Sequence, residues 1–431
     1  MLGASSHMNK FKIWVVFSLL FFFIPFEQQS KAAENLQKLI DEAPPNSTIQ
    51  LENEVYSGPV TITKPLKIIG DERTKIQSET TGISIQQTQN VVLKSLQFKT
   101  KKAPILVDDS ESIELTNLRF KIDEEAVRLQ NVKNSTLSDI EIEGIQDVHF
   151  SKRPNGMNVL DSANIRVERV QIDNIQDGIY FEKVENINVS HTFVKSGRYG
   201  LHFMYGKQIE LTNNTVQHNV TGLTVMVVND ILIQDNIIEK QLALNSNGIY
   251  LYDIERATIK KNVIKENTIG TVWNNVRDTT FTENTFQSNG TVIEGEKSPT
   301  VRVQNNQFLG NILTARSDKN GFMLDENHYD DYTGYDFNSD GYGDTPYQSY
   351  TSFGQWMVRK PVYQYYIEAP SVVLLNTLDK QLPASAKNIL VDNSPVMQLE
   401  KQASQGDIQW LQLMGGVTAI FLLLFIWRKY R

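Results

Sequence analysis

His202, Met204 and Met226 are the side chains whose types and spacing best fit metal chemistry in this sequence. His202 and Met204 are two residues apart, so in an extended strand they share a face, about 6.6 Å from one another. Met226 follows Met204 at an interval of 22 (226 − 204 = 22). If that interval is one structural repeat, the two methionines stack at the ~4.8 Å spacing of neighbouring strands. Imidazole and thioether suit a soft ion, Cu(I) above all. The chain has no cysteine, which excludes thiolate sites and disulfides and keeps copper affinity moderate, as a hand-over surface requires. A structural reading competes: methionine is a common gap-filler, and a C-terminal segment lying over these three residues would account for them as well. His149, His191 and His218 each stand alone in their stretch of sequence and are weaker candidates.

A second candidate lies further on. Asp336, Asn338 and Asp340 alternate ahead of Gly341, with Asp344 at the ninth position, as at the start of a calcium loop. The twelfth position is Tyr347 rather than Glu, so the bidentate carboxylate of an EF-hand is missing. Calcium held by Asp336, Asn338, Asp340 and Asp344 and a metal-free Asx-turn network are both open.

The elements that position these residues repeat. Gly178-Ile-Tyr-Phe-Glu, Gly200-Leu-His-Phe-Met and Gly222-Leu-Thr-Val-Met are spaced by 22 (200 − 178 = 22; 222 − 200 = 22), and Ile165, Ile187, Ile209 and Ile231 keep the same step. The series extends upstream through Gly82, Pro104, Ala126 and Gly156, and downstream through Gly248, Gly270 and Gly290. Such a period marks a solenoid whose coils bury apolar surface only against one another. Within a rung, apolar and polar residues alternate, which requires strands. Glycine before each strand is expected to turn a corner at positive φ, and the Asn-rich stretches (Asn164, Asn186, Asn213-Asn214, Asn236, Asn262, Asn284, Asn305-Asn306) to supply further corners through left-handed backbone. There is no leucine framework or helix per repeat. The expected fold is all-β: a right-handed parallel β-helix, pectin-lyase-like, with rungs of ~22 residues. Outward positions of the middle rungs are Tyr180, Glu182, His202, Met204, Thr224, Met226, Tyr250 and Tyr252. Two rungs are long (156 − 126 = 30; 248 − 222 = 26), so residues 145–155 and 239–247 should leave the coil as loops.

The ends differ in character. Residues 1–33 read as a cloning remnant followed, from Met8, by a basic start, an apolar run and small residues for cleavage: a secretory signal peptide. Residues 34–75 form an N-terminal helical cap and opening strands, 76–311 the β-helix, 312–350 an Asp/Gly/Tyr-rich cap, and 351–405 a docking segment with a helix from Ser371 to Leu382. Residues 406–427 have the length and apolar content of a transmembrane helix, with Trp410 and Trp427 at its interfaces. The basic tail 428–431 then lies in the cytoplasm, and the β-helix is an extracytoplasmic domain anchored to the cell membrane. A net charge of −8 with no basic stripe argues against nucleic acid as a partner.

Three segments in order, Arg198-Tyr-Gly-Leu-His-Phe-Met-Tyr205, Tyr332 to Tyr347, and Pro361-Val-Tyr-Gln-Tyr-Tyr-Ile-Glu-Ala-Pro-Ser371, resemble the NosD family across about 34–375. The C-terminal span departs from it, since many relatives look like soluble periplasmic proteins. The resemblance implies a non-enzymatic accessory role in copper-centre maturation of nitrous oxide reductase. It also implies an ABC-type ATPase and permease and a copper chaperone lipoprotein as partners. Two other classes compete. A carbohydrate-binding or polysaccharide-processing β-helix needs acids and bases clustered on an outer groove, and the outward residues above lack paired acids. A surface adhesin suits an anchor but leaves the His and Met unexplained.

Overall fold

The computed structural model describes residues 36–318, 320–349, 361–366, 369–381 and 390–397. Parallel strands of successive coils pair in register to build a β-solenoid of about 13 turns. Each coil gives three short strands, one to each of three long faces. The first face runs through Met157–Leu160, Asp177–Glu182 and the start of Tyr199–Thr212. The second runs through Ala163–Asp173, Glu185–Ser190 and the end of Tyr199–Thr212. Phe193–Lys195, Thr215–Gln217 and Ile237–Glu239 belong to the third. The apolar half of each alternation points inward, where Ile179, Leu201, Leu223 and Ile249 stack, and Phe181 lies flat on Phe203 with ring centroids 4.4 Å apart.

Parallel pairing reaches beyond 76–311 at both ends. It begins with Ser47–Gln50 on Leu66–Ile69 and continues to His328–Tyr329. The opening coils escaped the periodicity because Pro- and Gly-punctuated turns break the 22-residue step there. Helix Leu36–Glu42 covers the first coil as expected, burying Leu36 and Ile40. Its Gln37 side chain exchanges hydrogen bonds with the backbone of Thr61, so the edge strand is occupied. At the other end, strands Tyr347–Gln348 and Val391–Asp392 close the stack. Helix Pro370–Gln381 lies one residue from the expected position at each end. The signal peptide, the 406–427 span and the tail fall outside the described residues, and among the described residues no helix is long and apolar enough to cross a membrane.

Two expectations about corners need correction. The ladder glycines do not have positive φ; among the described glycines only Gly310, Gly321 and Gly341 do. Glycine is needed at the ladder positions because the next coil is too close for a side chain. A Cβ on Gly178 would sit 2.3 Å from the Gly200 carbonyl oxygen, and one on Gly200 2.5 Å from the Gly222 carbonyl oxygen. The left-handed corners fall on non-glycine residues: Asn164, Asn186, Asn213 and Asn305 as expected, but Asp235, Lys261 and Glu283 in place of Asn236, Asn262 and Asn284, and also Glu326.

The asparagine immediately after Asn213, Asp235, Lys261, Glu283, Asn305 and Glu326 turns inward. The Asn214 backbone N–H donates to Asn236 Oδ1, Asn236 to Asn262, Asn262 to Asn284, Asn284 to Asn306 and Asn306 to Asn327, all at 2.9–3.0 Å. Each side-chain Nδ2 also donates to the next Oδ1. The column ends on Asp392, whose Oδ2 accepts from the Asn327 N–H and Nδ2 and from the Tyr329 hydroxyl, all at 3.0 Å. A parallel column runs Asn219, Gln241, Asn267, Asn289 and Asn311 at the next corner.

Asn262→Ala should therefore remove an acceptor for two buried donors and leave the Ile233 carbonyl without its side-chain partner. Unsatisfied buried groups cost about 1–3 kcal/mol each, so a loss of about 3 kcal/mol is expected. Asn186→Ala, at an exposed left-handed corner, should cost about 1 kcal/mol. Urea unfolding midpoints measure both.

Candidate functional site

On the first face the outward residues align as their spacing implied. Tyr180, His202, Thr224 and Tyr250 are register partners in successive coils, and so are Glu182, Met204, Met226 and Tyr252. Met204 therefore stands beside Met226 in the next coil, and both are half-buried.

His202 differs from expectation. It lies on the outer side of the sheet but is only 7% exposed, and Thr224 in the next coil is as deeply covered. Its Nδ1 lies 2.9 Å from Asp177 Oδ2. Because the carboxylate can only accept, Nδ1 is the protonated nitrogen, and the lone pair of the neutral ring is on Nε2. That Nε2 is buried and has no partner, as is Thr224 Oγ1.

Asp177 is held in turn by Arg198, whose Nε and Nη2 each donate to one carboxylate oxygen at 2.8 Å. Burial is the strongest single influence on Asp177 and pushes its carboxyl up. The hydrogen bonds from His202 and Arg198, with their charges, outweigh it and hold the carboxyl below its usual range. The Arg198 guanidinium also lies over the Tyr199 ring, 4.4 Å from its centroid. Tyr199 and Tyr180 flank the imidazole, each with its ring centroid 4.9 Å away. Tyr180 donates to Glu182 Oε2 at 2.8 Å, and its oxygen is 3.5 Å from Met204 Sδ. Burial, followed by the Glu182 hydrogen bond, pushes the Tyr180 phenol up to about 12.

Asp177 and Arg198 are the residues that sequence reasoning did not assign. The pairing passes from Asp177↔Tyr199 directly to Ile179↔Leu201, so the glycine between resets the in-out alternation. Counting back by twos from Tyr180 misses Asp177. The constant 22-residue step was the signal that could have placed Tyr199 beside it.

A family comparison bears on this face. The NosD family model, described as periplasmic copper-binding protein, matches residues 144–344, which include every residue of this cluster. Over residues 144–344 the chain is similar to that family. A second family model, right handed beta helix region, matches 72–215 and gives the hand of the coil. Among solved structures, the A-module of mannuronan C-5 epimerase AlgE4 from Azotobacter vinelandii is similar at 12% identity and TM-score 0.50, over 66% of this chain and 94% of that one. Tailspike protein 3 of bacteriophage CBA120 is similar at 11% identity and TM-score 0.52, over 78% of this chain and 67% of that one. At such identities the likeness is one of fold. No curated protein matches the sequence.

The cluster fits copper by its donor set. Nε2 of His202 has a lone pair and no partner, and Met204 and Met226 bring two thioethers to adjacent coils. No group of three or more His, Asp or Glu among the described residues is arranged to hold a metal, so a site here depends on the methionines.

His149 and His218 are not as isolated as the sequence suggested. Both line a cleft on the flank where residues 145–155 and 240–246 leave the coil, while His191 is an exposed corner residue with φ 51°.

The Asp336 loop is an exposed network of Asx turns. Asp336 accepts from the N–H groups of Asp340 and Gly341, Asn338 from Asp340, Asp340 from Tyr342, and Asp344 from Phe337. Calcium would share these oxygens with the turn N–H groups, which the spare lone pairs of a carboxylate allow. If it binds, added calcium raises the melting temperature and a chelator lowers it. An unmoved midpoint in both makes the loop a turn alone.

Proposed function

We propose that this NosD-like chain is an extracytoplasmic accessory protein for copper-centre assembly of nitrous oxide reductase. In this reading it is a docking and transfer platform that works with an ABC-type ATPase and permease and with a copper chaperone lipoprotein. A signal peptide in 1–33 and a membrane anchor in 406–427 would place it at the outer side of the cell membrane. The carrying observation is the orphaned Nε2 of His202, oriented through Nδ1 by Asp177, on the same outer face as Met204 and Met226, which are register partners in adjacent coils. A buried polar atom without a partner costs about 1–3 kcal/mol, and a ligand at Nε2 relieves that cost. The family description, periplasmic copper-binding protein, supports the same choice of metal.

Thioether and imidazole ligands without thiolate hold Cu(I) moderately, and a transfer protein must also release its cargo. Asp177 and Arg198 would act as positioning residues: they fix the tautomer and the ring plane while touching no metal. We assign no catalytic step to the chain. The polysaccharide-processing reading is tested by release of reducing ends or unsaturated products, and none is expected.

Cu(I) titration of the chain should show a site that His202→Ala, Met204→Ala and Met226→Ala together abolish. Asp177→Asn should weaken it about 10–100-fold with the ligands untouched. Identical isotherms for the triple variant and the parent remove the site. In cells, deletion of the chain should leave nitrous oxide reductase short of copper, and fully loaded reductase would count against the role in maturation.

A further inference from the structure

The outer column that carries His202 continues downstream. Thr224, Tyr250, Val272, Glu294 and Arg316 follow it as register partners in successive coils. Glu294 is four coils from His202, roughly 19 Å at the ~4.8 Å strand spacing. Here the surface opens into a cleft of about 500 Å3 lined by Tyr250, Asn274, Glu294, Glu296, Arg316 and Asp318, among others.

Glu294 and Arg316 form an ion pair across the two coils, Nη2 donating to Oε2. The pair is incomplete. Glu294 Oε1 and Arg316 Nε are both shielded from solvent and have no partner. Burial is the largest influence on Glu294 and raises its carboxyl against the opposing pull of Arg316. One acceptor and one donor thus lie unspent side by side at a cleft, where a ligand is placed to satisfy them.

Charge selects the ligand. Three carboxylates, Glu294, Glu296 and Asp318, surround one guanidinium, which disfavours a uronate or a phosphate. Arg316 in their midst disfavours a metal ion or an amine. Neutral groups that both donate and accept remain, and hydroxyls are such groups. Planar polar side chains (Glu294, Glu296, Asn274, Arg316) match the paired hydroxyls of a sugar ring, and the half-buried Tyr250 offers a ring face beside them.

We propose that this cleft is a binding site for a neutral sugar unit, of a size that admits a disaccharide. The site shares a face with the copper cluster but none of its residues, and it does not depend on the copper reading. Its recognition is non-covalent: Glu294 Oε1 accepts from one ring hydroxyl, and Arg316 Nε donates to the oxygen of its neighbour.

Calorimetric titration of the full chain with maltose, cellobiose and N,N′-diacetylchitobiose tests it, with digalacturonate and the cationic chitosan disaccharide as charged counterparts. At least one neutral disaccharide should bind, and both charged ones more weakly. Glu294→Gln should weaken that binding at least tenfold, and His202→Ala should leave it unchanged. If Glu294→Gln lowers the melting temperature, the exposed Glu296→Gln provides the same comparison in a folded protein and should also weaken binding. The proposal is overturned if no neutral disaccharide binds, if digalacturonate binds as well as the neutral sugars, or if both Glu variants bind like the parent.

Discussion

The coils from Asn214 onward turn on buried amides. A strand that ends at a sharp corner leaves a backbone N–H and a carbonyl facing the core, where water cannot reach them. The inward asparagines satisfy both at once: Oδ1 accepts the N–H of the coil before, and Nδ2 reaches a carbonyl of that coil. The first, second and third faces keep their register because these columns fix where each coil bends. The outer clusters inherit their geometry from the same source. His202 meets Asp177, and Met204 meets Met226, only if adjacent coils are aligned to the residue.

The corners divide labour between two neighbours. The left-handed residue varies freely (Asn213, Asp235, Lys261, Glu283), since its side chain points out and only its backbone matters. The next position is asparagine in all four coils, since its amide both accepts from one coil and donates to another. In the second column Gln241 replaces asparagine and still accepts from Asn219, at the coil where 240–246 leaves the stack.

This explains what could be read from sequence. The repeat, the strand period and the stacking of Met204 on Met226 follow from a constant interval and needed no structure. The glycines and asparagines were recognisable as corner residues, but their reasons were not: the glycines answer to the neighbouring coil, and the asparagines to a column of hydrogen bonds. Both are relations between residues 21–26 apart, which local propensity does not describe. Asp177 was hidden because Gly178 resets the alternation before it. The burial of His202 was hidden as well, since periodicity gives the side of a strand but not what covers it. Asp392 could not have been found at all, being 65 residues from the asparagine it meets and beyond a helix.

Asp392 also ends one of the two amide columns. A stack of parallel coils is in principle a polymer, since each coil offers the next a template of unpaired edge groups. The amide column is directional: each Oδ1 accepts from the N-terminal coil, and each backbone N–H donates to the C-terminal one. A further asparagine in this column would present a free donor to another coil. A carboxylate receives hydrogen bonds and has none to pass on. In polymer terms Asp392 is the chain terminator of this column.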